Sequence, residues 1–307
     1  MRRKVIQLAG KTSVVSLPNK WVKFYGVKKG DELDIEEVSN YLMIKPLVKG
    51  DEIKKISLNV DGLNDRTFKY AISALHKIGY DEINLYYSSK KLGELIPHIL
   101  QNLLLGFVVI EQTSKKIVLK NVANEIESEF NPTLRRAFLV TISLAESILD
   151  MINSKNFKNL YPLISLENSN NQLTSFCLRL INKGFYKDVN KKGFLTTIIW
   201  SLEKIADEYK YICINLSKNN KEINLEILKI YKEVNLLFKE YYLLFYDFSA
   251  DKLNDLVDKN NIINKKLNSI KVNSEYELNL INILYSITSK TSDLSSSIFA
   301  LNYEKLF

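Results

Sequence analysis

The stretch Val14–Glu37, VVSLPNKWVKFYGVKKGDELDIEE, changes its hydrophobic spacing within a few residues. The β-branched pair Val14 and Val15 predicts a strand running into Pro18. Trp21, Val22 and Tyr25 are the apolar positions of a short amphipathic helix, Asn19–Tyr25, with Lys20 and Lys23 solvated. Gly26 suits the left-handed position just past a helix end. Lys28-Lys29-Gly30-Asp31 predicts a tight turn, and Leu33, Ile35 and Val38 recur through a polar strand. The predicted order is strand, one-turn helix, turn, strand.

Residues 47–125 read as a small α/β module. Ile56–Val60 predicts a strand, and Asn64–Ile78 a helix capped by Asn64 and closed by Gly79. Asp81–Tyr87 alternates Ile83, Leu85 and Tyr87 as a strand does. Ser88 is expected to cap a second helix through Leu105, stopped by Gly106, with Pro97 as a kink or restart. Phe107–Gln112 and Lys116–Val122 predict a hairpin. This βαβαββ order implies a small sheet with helices on one face. No glycine-rich phosphate loop is present, so a nucleotide site is not expected; a spacer role is favoured and a sensor role left open.

From Asn131 the helical period takes over. Asn131-Pro132 predicts a helix start, running to about Ile152. Further helices are expected over about Asn156–Asn182, with a break at Pro162, and Asp188–Leu216. After the polar Asn219-Asn220 a second trio follows, over about Lys221–Phe248, Ala250–Ile270 and Ser274–Tyr303, with Ser249 and Asn273-Ser274 as caps. Three helices, a break and three more of similar length predict a duplicated pair of antiparallel three-helix bundles. Phe238, Tyr241, Tyr242, Phe245, Tyr246 and Phe248 read as packing residues.

Charge changes the picture more than composition does. Residues 1–30 hold eight basic side chains (Arg2, Arg3, Lys4, Lys11, Lys20, Lys23, Lys28 and Lys29) and no acid, so the chain's whole net charge of +8 sits there. That is the footprint of a polyanion partner. A length of 307 residues predicts several domains, and no apolar run is long enough to span a membrane. Arg-Arg-Lys before a strand is unlike a signal peptide, and the lone Cys177 and Cys213 suit a reducing cytoplasm as core residues. His76 and His98 are isolated, and no nucleophile–base pair is evident, so an enzyme is not expected.

The run Val15-Ser16-Leu17-Pro18-Asn19-Lys20-Trp21, followed by Gly26-Val27-Lys28-Lys29-Gly30-Asp31-Glu32-Leu33, resembles the AbrB/MazE/SpoVT swapped-hairpin DNA-binding family over roughly residues 3–46. The resemblance implies a homodimer of interleaved hairpins that binds double-stranded DNA. So short a segment buries too little apolar surface alone, which agrees with a symmetric partner. Arg2, Arg3, Lys4 and Lys11 would lead the contacts, with Lys20 and Lys23 steering. Arg66, Tyr70 and Gly79-Tyr80-Asp81 resemble the connector of archaeal regulators with this architecture.

Leu202-Glu203-Lys204-Ile205-Ala206-Asp207 places two carboxylates four residues apart on one helical face. They repel unless a cation or a basic side chain intervenes, and pairing with Lys204, Lys210 or a neighbouring helix is the plain alternative. The run resembles the signature of PhoU phosphate-regulatory proteins, as does Glu167-x-x-x-Asn171 for that family's second helix. The resemblance implies a divalent or iron-type metal ion on carboxylates, here Glu203, Asp207 and Glu167, supported by Glu146 and Asp150. In the second trio the equivalent is Ser289-x-x-x-Asp293, which retains only Asp293 and weakens a metal cluster there.

These readings combine into a multidomain chain. An AbrB-like hairpin spans 1–46 and an α/β connector 47–125, with PhoU-like three-helix bundles over 128–220 and 221–307. Archaeal phosphate-uptake regulators share this order. The expected function is a cytoplasmic DNA-binding transcriptional regulator whose helical half senses or relays phosphate status. The alternative is a PhoU-type interaction protein acting on a phosphate transporter or sensor kinase, its hairpin serving mainly for dimerisation. An antitoxin-like partner ranks third.

Overall fold

The computed structural model describes all residues except Ser39, 47–52, Asn124, Lys187, Asn220, Lys221, Asn273 and Phe307, and all described side chains except those of Val38, Lys90 and Lys91. Helices dominate and the sheets are small. The chain forms two compact units, Met1–Ile53 and Lys54–Phe307. The junction expected at 46/47 borders residues outside the described ones.

In the first unit β1 (Ile6–Leu8) pairs antiparallel with β2 (Thr12–Val14), Ile6 opposite Val14. Ala9 and Gly10 both adopt left-handed backbone, and Lys11 N–H returns to the Leu8 carbonyl at 3.3 Å. Two left-handed central residues match the right-handed twist of a hairpin. Next comes α1 (Asn19–Phe24), and its end matches the sequence expectation. Gly26 has φ +64°, and Val27 N–H bonds the Val22 carbonyl at 3.0 Å. At the following turn Asp31 accepts from Lys28 N–H at 2.6 Å. β3 (Leu33–Val38) then pairs antiparallel with β4 (Tyr41–Pro46).

The second unit opens with β5 (Lys55–Asn59), α2 (Asp65–Ile78), β6 (Glu82–Tyr86), α3 (Lys90–Leu103), β7 (Phe107–Gln112) and β8 (Lys116–Asn121). The sheet order is β5-β6-β8-β7, parallel only between β5 and β6. Ile83, Leu85, Ile117 and Leu119 bury one sheet face against Phe68 and Ile72 of α2 and Ile96 and Ile99 of α3. Asn64 caps α2 by accepting from Thr67 N–H at 2.9 Å, and Gly79 ends it at φ +100°. Ser88 does not cap α3. Its N–H and hydroxyl both donate to Asp61, at 2.7 and 2.8 Å, and α3 starts after Ser89, whose side chain makes no capping bond. The helix runs through Pro97 without a restart.

The remaining helices are α4 (Phe130–Asn153), α5 (Ile164–Asn182), α6 (Lys192–Asn219), α7 (Leu225–Tyr246), α8 (Ala250–Ser269), α9 (Glu275–Ser292) and α10 (Leu294–Asn302). The segment expected to start the second helix is a 3-10 stretch, Phe157–Leu163, because Pro162 cannot donate in an α-helical ladder. Ser249 and Ser274 cap α8 and α9 as expected, whereas Asn273 lies outside the described residues. The last expected helix breaks at Asp293 into α9 and α10.

Both helical trios contribute to one continuous apolar core, with α6 packed on α9 and α4 on α7. Separate cores therefore do not mark the expected division near residue 220. The Phe138 ring meets Phe238, Tyr242, Phe245 and Tyr246, so the aromatic run of α7 is packing. Cys177 and Cys213 are buried free thiols in the same core. Among the described residues no helix is long and apolar enough to cross a membrane.

Candidate functional site

The first unit carries an exposed basic surface. Arg2, Arg3 and Lys4 precede β1, Lys11 stands at the β1–β2 turn, and Lys20 and Lys23 lie on α1. All six are exposed, and none forms an ion pair with another described residue. The acids of this unit lie mainly in the next stretch, with Asp31, Glu32, Asp34, Glu36 and Glu37 within seven residues. Charge is thus polarised, basic through β1, β2 and α1 and acidic along β3.

No described residue of the first unit is buried. Ile6 and Leu8 on β1 are 53% and 54% exposed, and Val15, Phe24, Ile35 and Leu42 are also open. The strands form two separate two-stranded ladders. Isolated ladders with an uncovered apolar face are marginal in water.

The second unit holds the carboxylate cluster. Helical spacing puts Glu203 and Asp207 on adjacent turns of α6, and α5 brings buried Glu167 beside them. Lysines occupy the space between these groups. Lys210 Nζ lies 2.6 Å from Glu167 and 2.5 Å from Asp207. Lys204 Nζ lies 3.0 Å from Asp207 and 3.3 Å from Glu203, and Lys77 reaches Glu203 from α2 at 3.8 Å. Of the two ways to relieve the repulsion, the basic side chain is the one observed.

The local fields follow from burial and these pairs. Burial pushes the Glu167 carboxyl up, against the opposing pull of Lys210 and Asn171. Burial would also raise Asp207, but hydrogen bonds and charge from Lys210 and Lys204 hold it below the usual range. Burial disfavours the Lys210 ammonium, yet Asp207 and Glu167 raise it above its ordinary value, so it stays charged.

Among the described residues, no three His, Cys, Asp or Glu side chains converge as a metal ligand set. Glu167, Glu203 and Asp207 have the hard oxygens that Mg²⁺, Mn²⁺ or iron prefer. Their oxygens face ammonium groups, however, so a metal fits only if Lys204 and Lys210 withdraw. None of the other expected ligands forms a ligand set with this cluster among the described residues. Glu146 is exposed and paired with Lys239 at 3.0 Å, Asp150 is exposed near the end of α4, and Asp293 is exposed at the α9–α10 break.

One charged group in the same unit escapes the sequence reading. Arg179 of α5 is fully buried and donates to Asp81 and Glu125 and to the carbonyls of His76 and Tyr80. Lys183 joins the same two carboxylates at 2.7 and 2.6 Å. This network ties α5 to the α/β layer. Its signal was an arginine within the apolar run SFCLRLI, which requires a buried anion. His76, buried beside it, is pushed down to about 3 by burial and then by Arg179, and its Nε2 lies 3.1 Å from the Leu105 carbonyl.

Compared with protein-family models, with curated proteins and with solved structures, the chain matches none significantly. The likeness to the two families named above rests on the quoted residues.

Proposed function

We propose that this protein is a dimeric DNA-binding transcriptional regulator, with the hairpin unit on double-stranded DNA and the helical unit sensing or relaying phosphate status. The observation that carries the DNA reading is the exposed, acid-free basic stretch of residues 1–30. Phosphate contacts need solvent-facing cations free of internal carboxylate partners, and Arg2, Arg3, Lys4 and Lys11 meet that requirement among the described residues. The dimer reading is supported by the open apolar side chains of Ile6, Leu8 and Val15, which a second copy of the hairpin would cover. In this reading the helical unit is a pair of PhoU-like bundles sharing a core, and the protein works in the cytoplasm as a non-enzyme.

The test is fluorescence anisotropy with labelled duplex DNA, alongside sedimentation to read the oligomeric state. Dimer and saturable DNA binding together are expected. The second reading, an interaction protein acting on phosphate transporter or sensor components, is favoured by the same apolar strands, because they account for a dimer without DNA. Dimerisation retained with no DNA binding would select it. A metal ion on Glu167, Glu203 and Asp207 belongs to either reading and requires displacement of Lys204 and Lys210.

A further inference from the structure

The second unit contains an open cleft of about 790 Å³, lined by α2, α3, the Phe157–Leu163 turn, α5 and α6. The sequence of α2 explains its polar wall. Phe68, Ile72 and Leu75 turn into the core, whereas Arg66, Lys69, Tyr70, Ser73 and Lys77 recur at helical spacing along the cleft. The carboxylate cluster lines the opposite side through α5 and α6.

Charge within the cleft does not balance. Glu167, Glu203 and Asp207 are matched by Lys77, Lys204 and Lys210. Arg66 and Lys69 remain, and neither pairs with a carboxylate among the described residues. Arg66 Nε donates to the Tyr70 hydroxyl at 2.7 Å, with the guanidinium 5.5 Å from that ring's centroid. This fixes the guanidinium at the cleft while its terminal nitrogens bond no described residue. Tyr161 adds a second open ring, 67% exposed. Asn171 donates its amide nitrogen to Glu167 at 2.8 Å and leaves its Oδ1 without a partner among the described residues.

We infer that this cleft binds a phosphorylated anion of nucleotide size, with phosphates on Arg66 and Lys69 and the ring system against Tyr70 and Tyr161. Arginine forks and lysine point charges are the side chains that hold phosphates. The cleft's volume suits an organic ligand, since such sites span about 300–1,000 Å³. Side chains replace the backbone cradle of a glycine-rich loop. This deepens the sensing reading of the helical unit by naming the chemical class of effector.

The test is calorimetric titration of the full chain with ATP, on wild type, Arg66→Gln/Lys69→Gln and Arg2/Arg3/Lys4→Ala. One ATP per chain is expected, with affinity at least about tenfold weaker in the α2 variant and unchanged in the amino-terminal variant. Both α2 positions lie outside the core, and matching thermal melts establish that the fold is retained. No saturable ATP binding overturns the inference, as does equal affinity in the α2 variant or loss only in the amino-terminal variant. Orthophosphate binding as tightly as ATP overturns the nucleotide-size assignment. DNA binding, measured on the same proteins, fails or succeeds separately from these outcomes.

Discussion

The Arg179 guanidinium meets the Asp81 carboxylate at 2.5 Å, joining α5 to the residue that immediately precedes β6 across the α/β–helical boundary. Among the described residues, its other polar contacts also come from the α/β side or from Glu125. Burial alone would push Asp81 up. The Lys183 hydrogen bond, the Lys54 backbone N–H and the charges of Lys183 and Arg179 together hold it below the usual carboxylate range.

Arg179→Met removes the cation and leaves Asp81 and Glu125 with Lys183 alone. Breaking a buried pair from one side costs about 3–5 kcal/mol. Urea denaturation should show a loss of that order with the m-value unchanged. A change within about 0.5 kcal/mol, the range of ordinary surface substitutions, would contradict the role assigned to the network.

His76 makes stability depend on acid. Its folded value is pushed down to about 3, while an unfolded histidine titrates near its ordinary value of 6.5. Between those values the unfolded chain binds more protons, so stability falls as pH drops through that window. The slope from this one group is at most about 1.4 kcal/mol per pH unit. Melts of wild type and His76→Gln from pH 7 to pH 4 should converge on acidification. Parallel curves would show that the imidazole is not held neutral.

Lys204 and Lys210 compete with any metal for Glu167, Glu203 and Asp207. Lys204→Ala with Lys210→Ala should therefore bind Mn²⁺ at least about tenfold more tightly than wild type, a gain of about 1.4 kcal/mol. Adding Glu203→Gln and Asp207→Asn should abolish that binding. Metal affinity indifferent to the lysines would mean that these carboxylates are not the ligands.

What could be read from the sequence was local. The Asn64 cap, the Gly26 and Gly79 endings and the Ser249 and Ser274 caps depend on neighbours a few residues away, and the structure has them all. The four-residue spacing of Glu203 and Asp207 likewise identified a helical face. Lys204 and Lys210, the basic alternatives on the same helix, are what fills that face, whereas Lys77, which arrives from α2, could not be read from local spacing. Ser88 was misread because Asp61, from another loop, takes its hydroxyl. Arg179 was missed for the same reason, since its partners Asp81 and Glu125 are far away in sequence. Glu146 and Asp150 shared the right residue type and spacing and Asp293 only the residue type, but among the described residues none forms a ligand set with the cluster.

The central claim is that residues 1–30 read a polyanion. The most direct measurement is a salt titration of binding to random genomic duplex DNA, run on wild type and Arg2/Arg3/Lys4→Ala. The account predicts binding at low salt, with a logarithmic salt slope shallower in the variant by roughly 0.9 for each phosphate contact removed. No binding by wild type at low salt, or identical slopes for the two proteins, would contradict it.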